Sequence, residues 1–501
     1  MRWSLLILFP VGWFVSYDLL TDQHVYYVLL TLVALAATFV ILSVLGRRIK
    51  REVHLWVIFI LYLIGYFLKF YLLCYMKVHS QDYGGYLQGS YPLETELLNS
   101  TELIISYYET VTVVLVAFAI LVTVLMRGGR RTASTVRAPF VGGGGEVRIK
   151  VQRRTIKRLL VVGITVSILL LYVQIKLGLG LVSAAERQTT QLPYHLAGII
   201  MTVSNGLLPL LFLLTVWLAD SIRAASLARL TITAYILFGV ASGLLSTSKA
   251  ALVSVMVSLV ILWLLTGNFT QKRGRLLAAL ALFMVVFNVY LGINRTLRNI
   301  YPDMGVFDIA AMAISYLLTL HGGILTNAES LPLIANYAGP LLRINGADSL
   351  LNIINYAPSF SFDRIWFILF ESPDTVASLF TTDVLGLPPQ LGLGFSPSLL
   401  GYLLFVFGNV SLVCFGMIVY TLAWHMIFRT IMNARLIIEP ILIALLIVTL
   451  GQFTSEGTLE SMPQTIAIVV AFGVIGEFFL RRSFGRGIRQ TIYPSSSRPS
   501  L

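Results

Sequence analysis

Residues 25–46 read VYYVLLTLVALAATFVILSVLG, an uncharged stretch that runs directly into Arg47-Arg48-Ile49-Lys50-Arg51. An α-helix needs about 20 such residues to cross ~30 Å of hydrocarbon, and basic residues at its end mark one face of the membrane. Working outward, eleven further apolar runs have similar character: 4–20, 53–76, 103–126, 158–181, 195–219, 229–247, 250–267, 275–294, 396–427, 436–453 and 463–480. The fold class expected is all-α, a polytopic integral membrane protein with about 12 transmembrane helices. The run 4–20 lacks a small-residue cleavage site and another span follows at once, so it is read as a retained span. The run 396–427 is long enough to tilt or to begin as an interfacial helix. Composition agrees, with 57% hydrophobic and 12% charged residues. Soluble domains are about half apolar and a quarter charged, so soluble and disordered readings are excluded.

The net charge of +13 would point to nucleic acid in a soluble protein. Here 27 of the 36 cations fall in loops that share one side if all twelve runs cross. They include ten residues between Arg127 and Arg158 and five in the tail from Arg481. By the positive-inside rule both termini are cytoplasmic, and no nucleic-acid partner is needed. The remaining nine, Lys69, Lys77, Lys176, Arg187, Lys249, Arg295, Arg298, Arg343 and Arg364, fall on the outer side. Cations placed against the bias are candidates for binding an anion.

The chain divides accordingly into transmembrane helices 1–4 (1–126), a basic cytoplasmic linker (127–157) and helices 5–9 (158–294). A large outer loop (295–395), helices 10–12 (396–480) and a basic disordered tail (481–501) follow. The linker carries Gly142-Gly143-Gly144-Gly145, a flexible composition whose charges suit anionic lipids. A structureless loop of the length of 295–395 would be unusual, so it is expected to fold as a cap of short helices. Its apolar runs 309–320 and 365–370 suit interfacial or re-entrant helices. Cys74 and Cys414 offer neither a disulfide framework nor a metal cluster. Phosphate-loop, H-E-x-x-H, C-x-x-C, G-x-S-x-G and D-x-D patterns are absent, so no nucleotide, metal or other cofactor is expected.

Four places carry candidate chemistry. In Gly292-Ile293-Asn294-Arg295-Thr296-Leu297-Arg298, a continuing helix puts both arginines on one face at the outer boundary. Their planar forks match phosphate oxygens, although arginines at helix ends also snorkel. In Ser246-Thr247-Ser248-Lys249, the lysine with its hydroxyl neighbours either holds phosphate or caps a helix. In Arg343-Ile344-Asn345-Gly346-Ala347-Asp348, Asp348 either accepts a proton from a hydroxyl or pairs with Arg343 to hold the loop. His321, before Gly322-Gly323, suits a general base near neutral pH or a structural role. Glu186-Arg187 is a further pair with the same ambiguity. Lys69 and Glu109, both about two turns inside the outer boundary, are expected to pair with each other.

The layout, many spans with one large outer loop near the C-terminal third, resembles the oligosaccharide repeat-unit polymerases of the Wzy type, the O-antigen polymerases. Three patches carry the likeness. Ser246-Thr247-Ser248-Lys249-Ala250-Ala251 is similar to the family's basic turn opening a span. Arg343–Asp348 is similar to its R-x-x-G-x-D element. Phe395-Ser396-Pro397-Ser398-Leu399-Leu400-Gly401 resembles the segment that introduces the span after the loop. Tyr402 stands where the family often has an acidic residue, so that role is not transferred.

The resemblance implies a bacterial inner-membrane glycosyltransferase of the GT-C type. Such enzymes join undecaprenyl-diphosphate-linked repeat units at the periplasmic face in O-antigen or other surface-polysaccharide biosynthesis, including lipopolysaccharide. Its partners would be lipid-linked glycan donor and acceptor, membrane lipids and a chain-length regulator protein. On this reading Arg295, Arg298, Lys249 and Arg343 contact diphosphate, His321 or Asp348 activates or orients the acceptor, and Glu186 and Arg187 are additional candidates. An O-antigen ligase using the same donor is an alternative. A lipid-linked oligosaccharide flippase is another, but it expects internal repeats and charges near the midplane.

Overall fold

Among the described residues the apolar runs are mostly helical. The computed structural model describes residues 3–19, 23–46, 48, 52–79, 97–132, 152–176, 200, 203–246, 250–267, 270–300, 304, 308–309, 311–315, 346–368, 376–386, 397–434, 436–457, 459 and 462–484. Among them every regular element is a helix and no strand occurs. Six helices are long and apolar enough to cross a membrane: His24–Leu45, Val53–Tyr75, Thr101–Arg127, Arg153–Lys176, Ala225–Leu245 and Val410–Ala434. Five more apolar helices are shorter: Trp3–Ser16, Leu208–Ser221, Ala251–Thr266, Glu439–Ser455 and Met462–Phe478. The all-α membrane class stands, with six helices of full spanning length among the described residues. Large apolar side chains face outward, including Val25 at 86% and Phe14 at 77% exposure. Water would penalise such a surface, whereas lipid does not.

Two units are distinguished. The first comprises residues 1–137, 321–427 and 450–462, the second 138–320, 428–449 and 463–501. The first unit begins with α1 (Leu8–Ser16), α2 (His24–Leu45), α3 (Val53–Tyr62), a π-helical segment Leu63–Leu68, α4 (Lys69–His79) and α5 (Thr101–Thr132). Helix α2 packs along α5. Because lipid removes most of the hydrophobic gain between spans, polar contacts and close approaches hold such helices together. Tyr62 and Tyr107 illustrate this: Tyr62 donates to the Val111 carbonyl and Tyr107 to the Tyr66 carbonyl, both at 2.6 Å. Tyr71 and Tyr108 share a 2.6 Å hydroxyl bond beside them.

The second unit holds α6 (Arg153–Lys176), α7 (Leu208–Ser221), α8 (Ala225–Ser246), α9 (Ala250–Thr266) and α10 (Gln271–Ile300). Helix α6 packs on α7, α7 on α8 and α8 on α9. Ile309 and Ala313, from the first apolar run of the large loop, are buried among Phe287, Tyr290, Leu291 and Leu297 of α10.

The loop 295–395 contains short helices as expected: α11 (Ala347–Tyr356), α12 (Phe362–Trp366) and α13 (Val376–Leu379), all in the first unit. Ser361 caps α12, whose Phe362 and Trp366 are exposed. The run 396–427 does not form one helix. It divides into α14 (Leu399–Phe407) and α15 (Val410–Ala434), followed by α16 (Glu439–Glu456) and α17 (Met462–Phe484). The break is Gly408, whose φ of 62° ends α14, after which the Asn409 side chain accepts from Ser411 N at 2.8 Å.

A side chain at Gly408 would meet both the left-handed backbone and the main chain of Pro358 and Ser359, whereas Gly267, with φ of 71°, has nothing within 4 Å. Gly267→Ala should therefore cost only the left-handed strain, about 1–2 kcal/mol. Gly408→Ala should lower the melting temperature of the detergent-solubilised protein clearly further. Equal melting temperatures for the two variants would contradict the packing of α14 on 358–359.

Candidate functional site

The π-helical segment Leu63–Leu68 interrupts the long helix Val53–Tyr75 just before Lys69. Such segments disturb the regular carbonyl-to-amide ladder and are frequent at functional sites. The Tyr66 carbonyl in this segment is taken up by Tyr107 of α5. Gly346 lies against the Gly65 backbone so closely that a Cβ there would overlap the Gly65 carbonyl. Both glycines serve the same contact, which brings the large loop onto the helix main chain.

Immediately beyond that contact, Asp348 meets Lys69. The Lys69 Nζ to Asp348 Oδ2 distance is 2.5 Å, with side chains 7% and 2% exposed. The other carboxylate oxygen accepts from Gly346 N at 3.2 Å, and the Asp348 carbonyl accepts from Asn352 Nδ2 at 2.9 Å. Behind the ion pair, Leu350, Leu351 and Ile353 of α11 are fully buried, and α11 packs on α5 and α14. In surroundings of low dielectric, such an ion pair is strongly attractive but is stable only when its remaining hydrogen-bonding groups are satisfied.

Segment 397–401 reaches the same place. Leu400 N donates to the Tyr66 hydroxyl at 2.9 Å. Ser398 is wholly buried, with φ 65° and ψ 167°, a region essentially reserved for glycine. It is held there by its carbonyl accepting from Tyr402 N at 2.8 Å and by Gly457, which packs against that carbonyl. Strain of this kind, about 1–3 kcal/mol, persists only where surrounding contacts enforce it.

Two of the three sequence patches thus converge on Gly65, Tyr66 and Lys69. The expected Lys69–Glu109 pair does not form. Glu109 is exposed and Lys69 turns to Asp348, because a helix of the large loop supplies a nearer carboxylate than α5 does. Asp348 faces Lys69 and the Gly346 amide, so its carboxylate is already engaged. Of the other candidates, Arg343, His321, Lys249, Glu186 and Arg187 lie outside the described residues. The expected continuation of α10 through Arg295 and Arg298 is present, since the helix runs to Ile300. Next to Arg295 in sequence, Asn294 is buried and donates to the Tyr290 hydroxyl at 3.0 Å. Arg364, expected on the outer side, lies 4.9 Å from the Phe405 ring centroid. Tyr66 and Ser398 escaped sequence reasoning, since neither stands out among 23 tyrosines or in a short Ser-Pro-Ser run.

Lys69→Met leaves Asp348 buried without its cation and should cost about 3–5 kcal/mol. The double variant Lys69→Met/Asp348→Leu should recover most of that loss, read as the melting temperature of the purified protein in detergent. Additive losses in the double variant would show that the two residues are not energetically paired.

Compared with known protein families, curated proteins and solved structures, the chain matches none.

Proposed function

We propose that this protein is a membrane glycosyltransferase that polymerises undecaprenyl-diphosphate-linked oligosaccharide repeat units at the periplasmic face of a bacterial inner membrane. On this reading the chain crosses twelve times with both termini cytoplasmic, and the loop 295–395 is the periplasmic cap. The observation that carries the proposal is the convergence of Gly346–Asp348 and Ser398–Gly401 on Tyr66 and Lys69. These belong to two of the segments through which the sequence resembles the polymerases.

In the transfer step, a bond forms between an acceptor hydroxyl oxygen and the anomeric carbon while the bond from that carbon to the lipid diphosphate breaks. The hydroxyl proton passes to a base, and the leaving diphosphate takes the negative charge. Fixed cations that face this developing charge lower the barrier. Arg295, Arg298, Lys249 and Arg343 are the residues proposed for this role, as the resemblance implies. The Lys69 pairing makes Asp348 a positioning residue for the chain that carries Arg343, five residues upstream. That leaves His321 as the base for the acceptor. A lipid-diphosphate donor requires neither nucleotide nor ATP, in keeping with the missing motifs. Each unit's cations are proposed to be required in their own right.

Arg295→Ala or Arg343→Ala should abolish long-chain glycan in cells that depend on this protein, with the amount of protein in the membrane unchanged. Glycan chains of ordinary length from both variants would sink the assignment. Reporter fusions should place residues near 140 in the cytoplasm and those near 330 in the periplasm. The opposite pattern would overturn the topology.

A further inference from the structure

A second cluster of buried ionisable groups lies at the other end of the helix that carries Lys69. Glu52 and His54 stand at its beginning, fifteen residues before Lys69 or about 22 Å along the helix. Glu52 precedes α3 with φ −117° and ψ 39°. This non-helical conformation lets its carboxylate turn to the side that His54 faces, which two residues in a regular helix could not share. His425 joins them from α15, 371 residues away. Side-chain exposures are 2% for Glu52, 0% for His54 and 12% for His425.

The ligand atoms of the three lie within 4.8 Å of one another. His54 Nε2 and His425 Nδ1 are 3.0 Å apart, and Glu52 Oε2 stands 3.8 Å from the first and 3.7 Å from the second. A triangle with these edges has its centre about 2.0 Å from every corner, as expected of a zinc ion with bonds of ~2.0–2.2 Å to imidazole nitrogen and carboxylate oxygen. The 3.0 Å edge is also that of a hydrogen bond between the two rings, which a single proton accounts for; the carboxylate edges of 3.7 and 3.8 Å are not explained in that way. A charged imidazole draws a carboxylate to ~2.7–2.9 Å, whereas here the carboxylate stands off from both nitrogens. Two neutral imidazoles and one carboxylate also form a borderline donor set that suits zinc better than calcium or magnesium.

We propose that Glu52, His54 and His425 bind a divalent transition-metal ion of the zinc class. The ion fastens the start of α3 to α15 and leaves one coordination position for water or a further ligand. The site lies about 22 Å along the helix from Lys69, and the inference does not rest on the proposed activity.

The test uses the full chain, purified without a histidine tag, stripped with chelator and titrated with zinc sulfate. One zinc per chain should remain after desalting, and the melting temperature should rise on addition. His54→Ala and His425→Ala should each lose the ion, while His24→Ala, outside the cluster, should keep it. X-ray absorption at the zinc edge of the wild-type protein needs no variant and should report two imidazoles with oxygen donors. Zinc at background level in the wild-type protein would overturn the proposal. So would sulfur ligation by Cys74 or Cys414, or full retention of zinc in both histidine variants.

Discussion

The ion pair between Lys69 and Asp348 sets the terms for the first unit. Neither charge can be left alone in an interior of this polarity, so the position of one dictates that of the other. Lys69 belongs to a long apolar helix, and Asp348 opens a helix from the large loop. Their attraction therefore ties loop to bundle, and the remaining features act to make the contact possible. The π-helical segment disturbs the helix at Gly65 and Tyr66, Tyr107 takes up the Tyr66 carbonyl, and Gly346 lets two main chains touch. The strained Ser398 then brings Leu400 to the Tyr66 hydroxyl. Loss of the pair would leave these accommodations with nothing to accommodate.

One helix organises two chemically different ends. At one end a lysine meets an aspartate whose other carboxylate oxygen accepts from a backbone amide. At the other, a glutamate and two histidines surround a point at bonding distance for a metal. Both arrangements answer the same difficulty, which is how to hold apolar helices in register when hydrophobic burial offers little discrimination between one packing and another. Paired charges and shared ligands discriminate strongly, because a shift of a single turn separates the partners.

Legibility of these features in the sequence depended on whether their signal was local. The long apolar helices were visible because stretches such as 25–46 carry no charge. The helix that carries Arg295 and Arg298 was legible from the apolar run 275–294 that leads into it. The loop 295–395 was visible through its composition, and its short helices followed. What failed was pairing at a distance. Lys69 stood out as a buried cation, but the expected partner was Glu109 on a neighbouring span, and the actual one lies 279 residues downstream. His54 and His425 each look like an isolated histidine in an apolar run until the fold joins them. The break at Gly408 was hidden because the flanking residues remain apolar, and hydropathy does not register a left-handed φ. Ser398 had no signal, since its strain is imposed from outside.

The proposed activity is glycosyl transfer between lipid-linked glycans. The most direct measurement is to incubate the purified protein in detergent with a single lipid-diphosphate-linked repeat unit and separate the products by size. With no compartments to transport between and no nucleotide present, the account predicts a ladder of glycans lengthened by whole repeat units. A well-folded, monodisperse protein that leaves the repeat unit unextended when supplied with the cognate glycan would contradict it.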